Sequence, residues 1–157
     1  MLGIDIICVG KLNERYFAQA CDEYIKRMSA YAKLNVCEVA EIPVSSAGEI
    51  EPALAREAKK IEQKIGKNAF VICMCIEGKS FSSVAFSKLI SEAKCNGKSR
   101  LCFIIGGSNG ISEEIKRRAD VRLSMSEMTF PHHLARVMLL EQIYRAFKIE
   151  EGSGYHK

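Results

Sequence analysis

Three features of the 157-residue sequence predict an α/β fold with a mostly parallel sheet flanked by helices. Strand-like and helix-like patterns alternate along the chain, the order that βαβ units produce. The run from Ala69 to Ile76 is continuously apolar, as a strand covered on both faces requires. A second apolar run from Leu101 ends in Gly106, Gly107, Ser108, Asn109 and Gly110, where glycine lets the backbone approach a ligand closely. The length and the 48% apolar content suit one domain, 1–157, with a substantial core.

The first strand, Leu2 to Val9, is interrupted only by Asp5 and ended by Gly10 and Lys11. Asn13 is expected to cap a helix whose inward face carries Phe17, Ala20, Cys21, Tyr24, Met28 and Tyr31. That aromatic stripe reads as core rather than as a base-stacking platform. Leu34 to Ile42 predicts a second strand and Pro43 to Gly48 a polar, mobile loop. A helix from Ile50 to Ile65 turns Leu54, Ala58, Ile61 and Ile65 inward and its charges outward, with Gly66 as its stop.

After the strand Ala69 to Ile76, Glu77 and Gly78 predict a turn. Ser82 caps a helix that buries Phe86, Leu89, Ile90 and Ala93, and Gly97 suits its end. Ser112 caps another helix after the glycine loop, and a short strand precedes the loop Met125 to Phe130. Pro131 suits the first turn of a last helix with Leu140, Ile143, Tyr144 and Phe147 on its apolar face and Glu141 and Arg145 at pairing distance. By composition alone, the tail from Gly152 to Lys157 would fray.

In such a sheet, ligands bind beyond the C-terminal strand ends, where Met74 to Gly78, Gly106 to Gly110 and Met125 to Phe130 all fall. The glycine loop is not a dinucleotide fingerprint, because Ser108 occupies the second glycine position. Neither Gly78-Lys79-Ser80 nor Gly97-Lys98-Ser99 is a phosphate loop, since Cys73 and Glu92 stand where the earlier glycine belongs. Gly106 to Gly110 also reads Gly-x-Ser-x-Gly, and Asp120 and His132 follow in the order of a hydrolase triad. A chain this short leaves little sheet to seat that nucleophile, so the residues favour a small-molecule site without naming the molecule.

The net charge of +4 is uneven, with thirteen basic and twelve acidic residues before Lys98 and ten against seven from there on. This imbalance permits an anionic partner but does not identify one. The seven cysteines form no CxxC pair and predict small buried hydrophobes rather than metal ligands. Their odd number and the lack of a leader pattern predict reduced thiols and a cytoplasmic location. No apolar run reaches membrane-spanning length.

The stretches FIIGGSNGIS, LSMSEMTFPHHLARVMLLEQIYRAFKI and the terminal GYHK, with ICVGKLNERYFAQACDEYIKRM and VICMCIEGK earlier, closely resemble the RlmH family of SPOUT-type RNA methyltransferases. The likeness runs over essentially the whole chain. It implies an α/β knot, in which the C-terminal segment threads a loop, and a homodimer. It also implies S-adenosylmethionine held by three loops, largely through backbone, at Met74, Gly106, Met125, Ser126, Glu127, Met128, Thr129 and Phe130. Met74 stands where the family carries leucine, a volume-conserving exchange. No metal is implied.

The implied acceptor is N3 of a pseudouridine in 23S rRNA, methylated on the assembled ribosome. Loss of the imide proton is favoured by a nearby cation or base, and the candidates are Arg136, Tyr155 and His156. In similar proteins the tail reaches the partner subunit's active site, so that Tyr155 is expected to stack on a base while His156 and Lys157 meet phosphate or acceptor. His132 and His133 are expected to cap the last helix or pack beside the cofactor loop. Two other readings stay open, a serine hydrolase built on Ser108 and a ribosome-binding protein without catalysis.

Overall fold

A computed structural model describes residues 1–156. Its elements run β1 (Leu2–Val9), α1 (Arg15–Met28), β2 (Ala32–Val39), α2 (Ile50–Lys64), β3 (Phe70–Ser80), α3 (Ser83–Cys95), β4 (Arg100–Ile105), α4 (Glu113–Arg118), β5 (Val121–Ser124) and α5 (His132–Glu150). The five strands form one sheet in the order β2-β1-β4-β3-β5, and every neighbouring pair is parallel. The expected alternation and parallel sheet are therefore both present.

Two apolar layers cover the sheet. One joins Ile4, Ile6 and Phe103 of the strands to Met28 of α1, Ile90 of α3 and Leu140, Ile143 and Phe147 of α5. The other joins Ile7, Val71 and Ile104 to Ala58 and Ile61 of α2 and Ile115 of α4. Alternating strand residues thus feed opposite layers, which explains why β1, β3 and β4 need apolar residues at consecutive positions. Asp5 is the exception within β1, and it is buried in an ion pair with Arg100 at 2.6 Å.

Ser82 and Ser112 act as expected, their hydroxyls accepting from the backbone N–H of Ala85 and Ile115. Asn13 does not cap α1, because the helix starts one residue later with Glu14 at the cap position and no side-chain bond. The second strand ends at Val39 rather than Ile42. Glu57 breaks the expectation that all charges of α2 face water, for it is buried and accepts from the N–H of Ile42 at 2.9 Å. Burial pushes its carboxyl above the usual range, and the bond from Ile42 partly opposes that shift.

The largest departure is at Glu77 and Gly78, which extend β3 instead of turning it. Met74 pairs with Leu123, and after an irregularity Lys79 pairs with the same residue. Gly78 lies so close to β5 that an added Cβ would stand 2.7 Å from the carbonyl carbon of Arg122. A Glu-Gly pair thus marks a bulged strand, where glycine admits a neighbouring backbone.

Candidate active site

The ends of β3, β4 and β5 open into a cleft of about 630 Å³, within the range of small-molecule sites. Its walls include Met74, Gly106, Met125, Ser126, Met128, Thr129 and Phe130, so seven of the eight residues expected around the cofactor converge there. Glu127 is exposed and is not among the lining residues. The two loops that follow β4 and β5 are built differently.

Gly106 to Gly110 is a rigid turn. Gly107 and Gly110 bridge each other, and the N–H of Gly110 donates to the carbonyl of Gly107 at 3.1 Å. A Cβ on Gly106 would lie 2.5 Å from the carbonyl oxygen of Gly110, so no larger residue fits without moving the loop. Gly110 has a φ of +82°, in the left-handed region that favours glycine. The carboxylate of Glu41 accepts from the N–H of Ser108 at 2.7 Å and ties the loop to the segment after β2.

The loop after β5 is held by its own serines. Ser124 donates to the carbonyl of Ser126 at 3.0 Å, and the N–H of Met128 donates to the Ser126 hydroxyl at 3.0 Å. Met128 at the tip is 73% exposed, leaving a large apolar side chain at the mouth of the cleft. Among the described residues, Glu77 and Lys116 are the only Asp, Glu, Lys or Arg side chains on the cleft wall, and they form an ion pair. The pairing lowers the Glu77 pKa.

His132 also lines the cleft, and burial lowers its pKa, favouring the neutral imidazole. A Cβ on Gly10 would approach its Nε2 to 3.4 Å, so the turn after β1 backs this histidine. His133 lies the other way, with Nδ1 3.3 Å from Glu14. Cys75 lines the cleft, while Cys8, Cys73 and Cys102 are buried and pushed up to about 12 by burial, which makes them unreactive thiols. Among the described residues, no three His, Cys, Asp or Glu converge as a metal-ligand set. No helix is long and apolar enough to cross a membrane among those residues.

A family model described as "Predicted SPOUT methyltransferase" matches residues 2–156. The chain belongs to the SPOUT methyltransferase family. Within that family it is 46% identical to a ribosomal RNA large subunit methyltransferase H of Clostridioides difficile strain 630, over 99% of this chain and 100% of the relative. Proteins of the same name from Carboxydothermus hydrogenoformans and from Clostridium botulinum strain Alaska E43 are each 48% identical. Those alignments cover 98% and 99% of this chain and 99% and 100% of the relatives, respectively.

None of the three catalytic candidates of this SPOUT methyltransferase lines the cleft. Arg136 is buried, donating to the carbonyl of Gly10 at 3.2 Å and lying 3.6 Å from Glu38, while its Nε has no hydrogen-bond partner among the described residues. These contacts put it behind the Gly10 turn. Tyr155 sits in a short 3-10 turn, Gly154–His156, packed on α5 of its own chain. Its hydroxyl is 3.3 Å from Glu141, and the Arg145 guanidinium lies 4.8 Å from its ring centre. His156 is exposed, and Lys157 lies outside the described residues.

The hydrolase triad is not assembled. Ser108 follows the C-terminal end of β4, whereas Asp120 precedes the N-terminal end of β5, at the opposite edge of a parallel sheet. Asp120 instead accepts from the N–H of Val71 at 2.7 Å. Sequence reasoning missed Glu41 and Lys116 at the site. Both partners are far away in sequence, 67 residues for Glu41 to Ser108 and 39 for Lys116 to Glu77, so no local pattern announces either contact.

Proposed function

We propose that this protein transfers the methyl group of S-adenosylmethionine to N3 of a pseudouridine in 23S rRNA, acting on the assembled ribosome as a cytoplasmic homodimer. The observation that carries this reading is the cleft itself, where loops from three neighbouring strands converge in a chain of the SPOUT methyltransferase family. The names of relatives 46% to 48% identical over nearly the full length support the large ribosomal subunit as target. The threaded C-terminal segment implied by the resemblance belongs to the same reading.

The lining fits the donor. Met74, Leu123 and Met125 offer apolar surface to an adenine ring, and the glycine loop brings backbone close because Gly106 has no room for a side chain. Glu77 and Lys116 neutralise each other, so among the described residues the wall carries no unpaired Asp, Glu, Lys or Arg charge against a ligand that is itself a zwitterion with an added sulfonium. When bound, S-adenosylmethionine would supply a methyl group: the C–S electron pair leaves with a neutral thioether as the N–C bond forms at the imide nitrogen, whose proton is lost to water. The protein's task is alignment, and holding a near-attack geometry lowers such barriers by up to ~7–11 kcal/mol. The rigid loop after β4 and the serine-tied loop after β5 perform that holding. The neutral form of His132 adds no cation beside the sulfonium.

No separate RNA-binding domain is needed if the dimer docks in a preformed ribosomal groove by shape and phosphate contacts. The test is transfer from labelled S-adenosylmethionine to ribosomes that carry the pseudouridine without its methyl group. Isolated large subunits, naked rRNA and ribosomes with unmodified uridine serve as comparisons. Label confined to the pseudouridine of assembled ribosomes is expected. Equal methylation of naked rRNA would remove the docking argument. Donor binding without incorporation would remove the acceptor, and absence of donor binding would favour a ribosome-binding protein without catalysis.

A further inference from the structure

The cleft wall contributed by β3 is not an ordinary strand end. Met74 and Lys79 both pair with Leu123 of β5, so Cys75, Ile76, Glu77 and Gly78 stand out of the sheet's register as a bulge. Residues outside the ladder lose the hydrogen bonds that fix a strand, and other contacts have to set their position. The bulge nevertheless forms part of the site. Ile76 is 51% exposed and lines the cleft beside Met74, Cys75 and Glu77.

We propose that Lys116 is a positioning residue for the methyl donor, holding the bulge 75–78 through Glu77 and the β5 wall through Arg122 at the spacing the donor requires. The inference deepens the methyl-transfer reading above and rests on its donor-binding step.

The contacts run in two directions from one residue. Lys116 Nζ donates to the Glu77 carboxylate and lies 3.5 Å from Glu113 Oε1 on its own helix. The carbonyl of Lys116 accepts from Arg122 Nε at 3.1 Å. Lys116 thus reaches the β3 bulge with its side chain and β5 with its backbone, while α4 itself follows the glycine loop after β4. Loops from all three cleft strands meet at this position. On the far side of Glu77, Gly78 lies against the backbone of Arg122 and Leu123, so the bulge is held at two adjacent residues.

The burial of the pair is unequal, and this decides what it can do. The Lys116 side chain is 13% exposed, against 52% for Glu77. An ion pair with both ends in water contributes little, but burying one end limits competition from water and salt and fixes the direction in which the charge is offered. Glu77 is therefore drawn to a set point at the edge of α4. A wall already at the right distance presents the binding conformation before the ligand arrives. A loose bulge has to be ordered by the ligand, which lowers affinity without altering the methyl-transfer step.

The test uses Lys116→Met, Lys116→Arg, Glu77→Gln and the double variant Glu77→Gln/Lys116→Met. Each is measured by calorimetry with S-adenosylmethionine and by initial rates on assembled ribosomes at varied donor concentration, with far-UV circular dichroism reporting the fold. Lys116→Met keeps the apolar stem without the charge. It is expected to bind donor about tenfold more weakly, with the loss in the KM for donor and kcat changed by less than about threefold. Lys116→Arg retains a cation able to reach Glu77 and should bind within about threefold of the unaltered protein. Glu77→Gln, at the exposed end, is expected to lose about threefold to fivefold. The double variant should be no more than about twofold weaker than Lys116→Met, because both changes break the same link.

Donor affinity within about twofold of normal in folded Lys116→Met overturns the proposal. So does a double variant whose loss is the product of the two single losses, since Lys116 would then act other than through Glu77. Lys116→Arg binding no better than Lys116→Met overturns it as well. Should Lys116→Met fail to fold, Glu77→Gln decides, and unchanged donor affinity there overturns the proposal. Absence of donor binding by the unaltered protein overturns the methyl-transfer reading and this inference together. Donor affinities that follow the expected pattern, with no rRNA methylated, would support the inference while removing the acceptor.

Discussion

The loops after β4 and β5 face the same cleft, yet one is fixed by its backbone and the other by side chains. Gly106 to Gly110 leaves no space for a Cβ at Gly106 and is tied from outside by Glu41. Met125 to Phe130 is tied within itself by Ser124 and Ser126 and carries an exposed Met128 at its tip. A loop with no spare volume holds a ligand by staying still. A loop with a free apolar tip holds it by covering it, and substitutions in the two should fail in different ways.

The largest effect is expected from Gly106→Val. Its side chain has to displace the carbonyl of Gly110, so donor affinity should fall by about 100-fold or more in calorimetry, a loss of ~3 kcal/mol, while far-UV circular dichroism keeps the helical signal. A smaller loss is expected from Glu41→Ala, which leaves the loop intact but removes the acceptor of the Ser108 N–H. That bond reaches a partly exposed site, so donor affinity should drop by roughly fivefold to tenfold, equivalent to about 1–1.4 kcal/mol. If Glu41→Ala weakens binding as much as Gly106→Val, the rigidity of the turn comes from outside rather than from its glycines.

Met128→Ala sharpens the other side of the comparison. An exposed side chain adds little to folding, so its urea midpoint should correspond to a change within about 0.5 kcal/mol. Donor dissociation, followed by stopped flow, should nevertheless accelerate by about threefold as the cover is removed. Unchanged dissociation would make the tip a bystander.

The smallest effect concerns pH. Burial lowers the folded-state pKa of His132, so below its unfolded value of about 6.5 the unfolded chain takes up the proton more readily. Its contribution to stability is therefore lost as pH falls from about 6.5 through the lowered folded-state value, and is restored as pH rises. Urea midpoints measured across that window should show a shallower slope in His132→Gln. An unchanged slope would assign the dependence to other groups; Glu57 is not one of them, because its raised pKa makes stability rise as pH falls.

What the sequence disclosed and what it hid divide along the reach of the interactions. Ser82 and Ser112 were legible as caps because each bonds to an N–H three residues away. The strands β1, β3 and β4 were legible because burial on both faces demands an unbroken apolar run. Glu77 and Gly78 misled because their conformation is set by pairing with β5, more than forty residues on. Glu57 misled for the same reason, since its partner is the N–H of Ile42 on another element. The glycine loop could be placed at the site, but not its outside tie to Glu41, which lies in a segment read as strand. Dimerisation, the threaded topology and the rRNA target came from resemblance, because neither periodicity nor spacing encodes a partner.

The six methionines provide the most direct test of the central claim that the edge formed by these loops holds the methyl donor. With their methyl groups labelled with ¹³C, addition of S-adenosylmethionine should shift the signals of Met74, Met125 and Met128, all on the cleft wall. Met28, fully buried in the core layer that includes α5, and Met1, exposed just before β1, should stay where they are. Shifts confined to the three cleft methionines would locate the donor between the loops. Saturating donor that leaves those three signals unmoved, or moves Met28 and Met1 instead, would contradict the account.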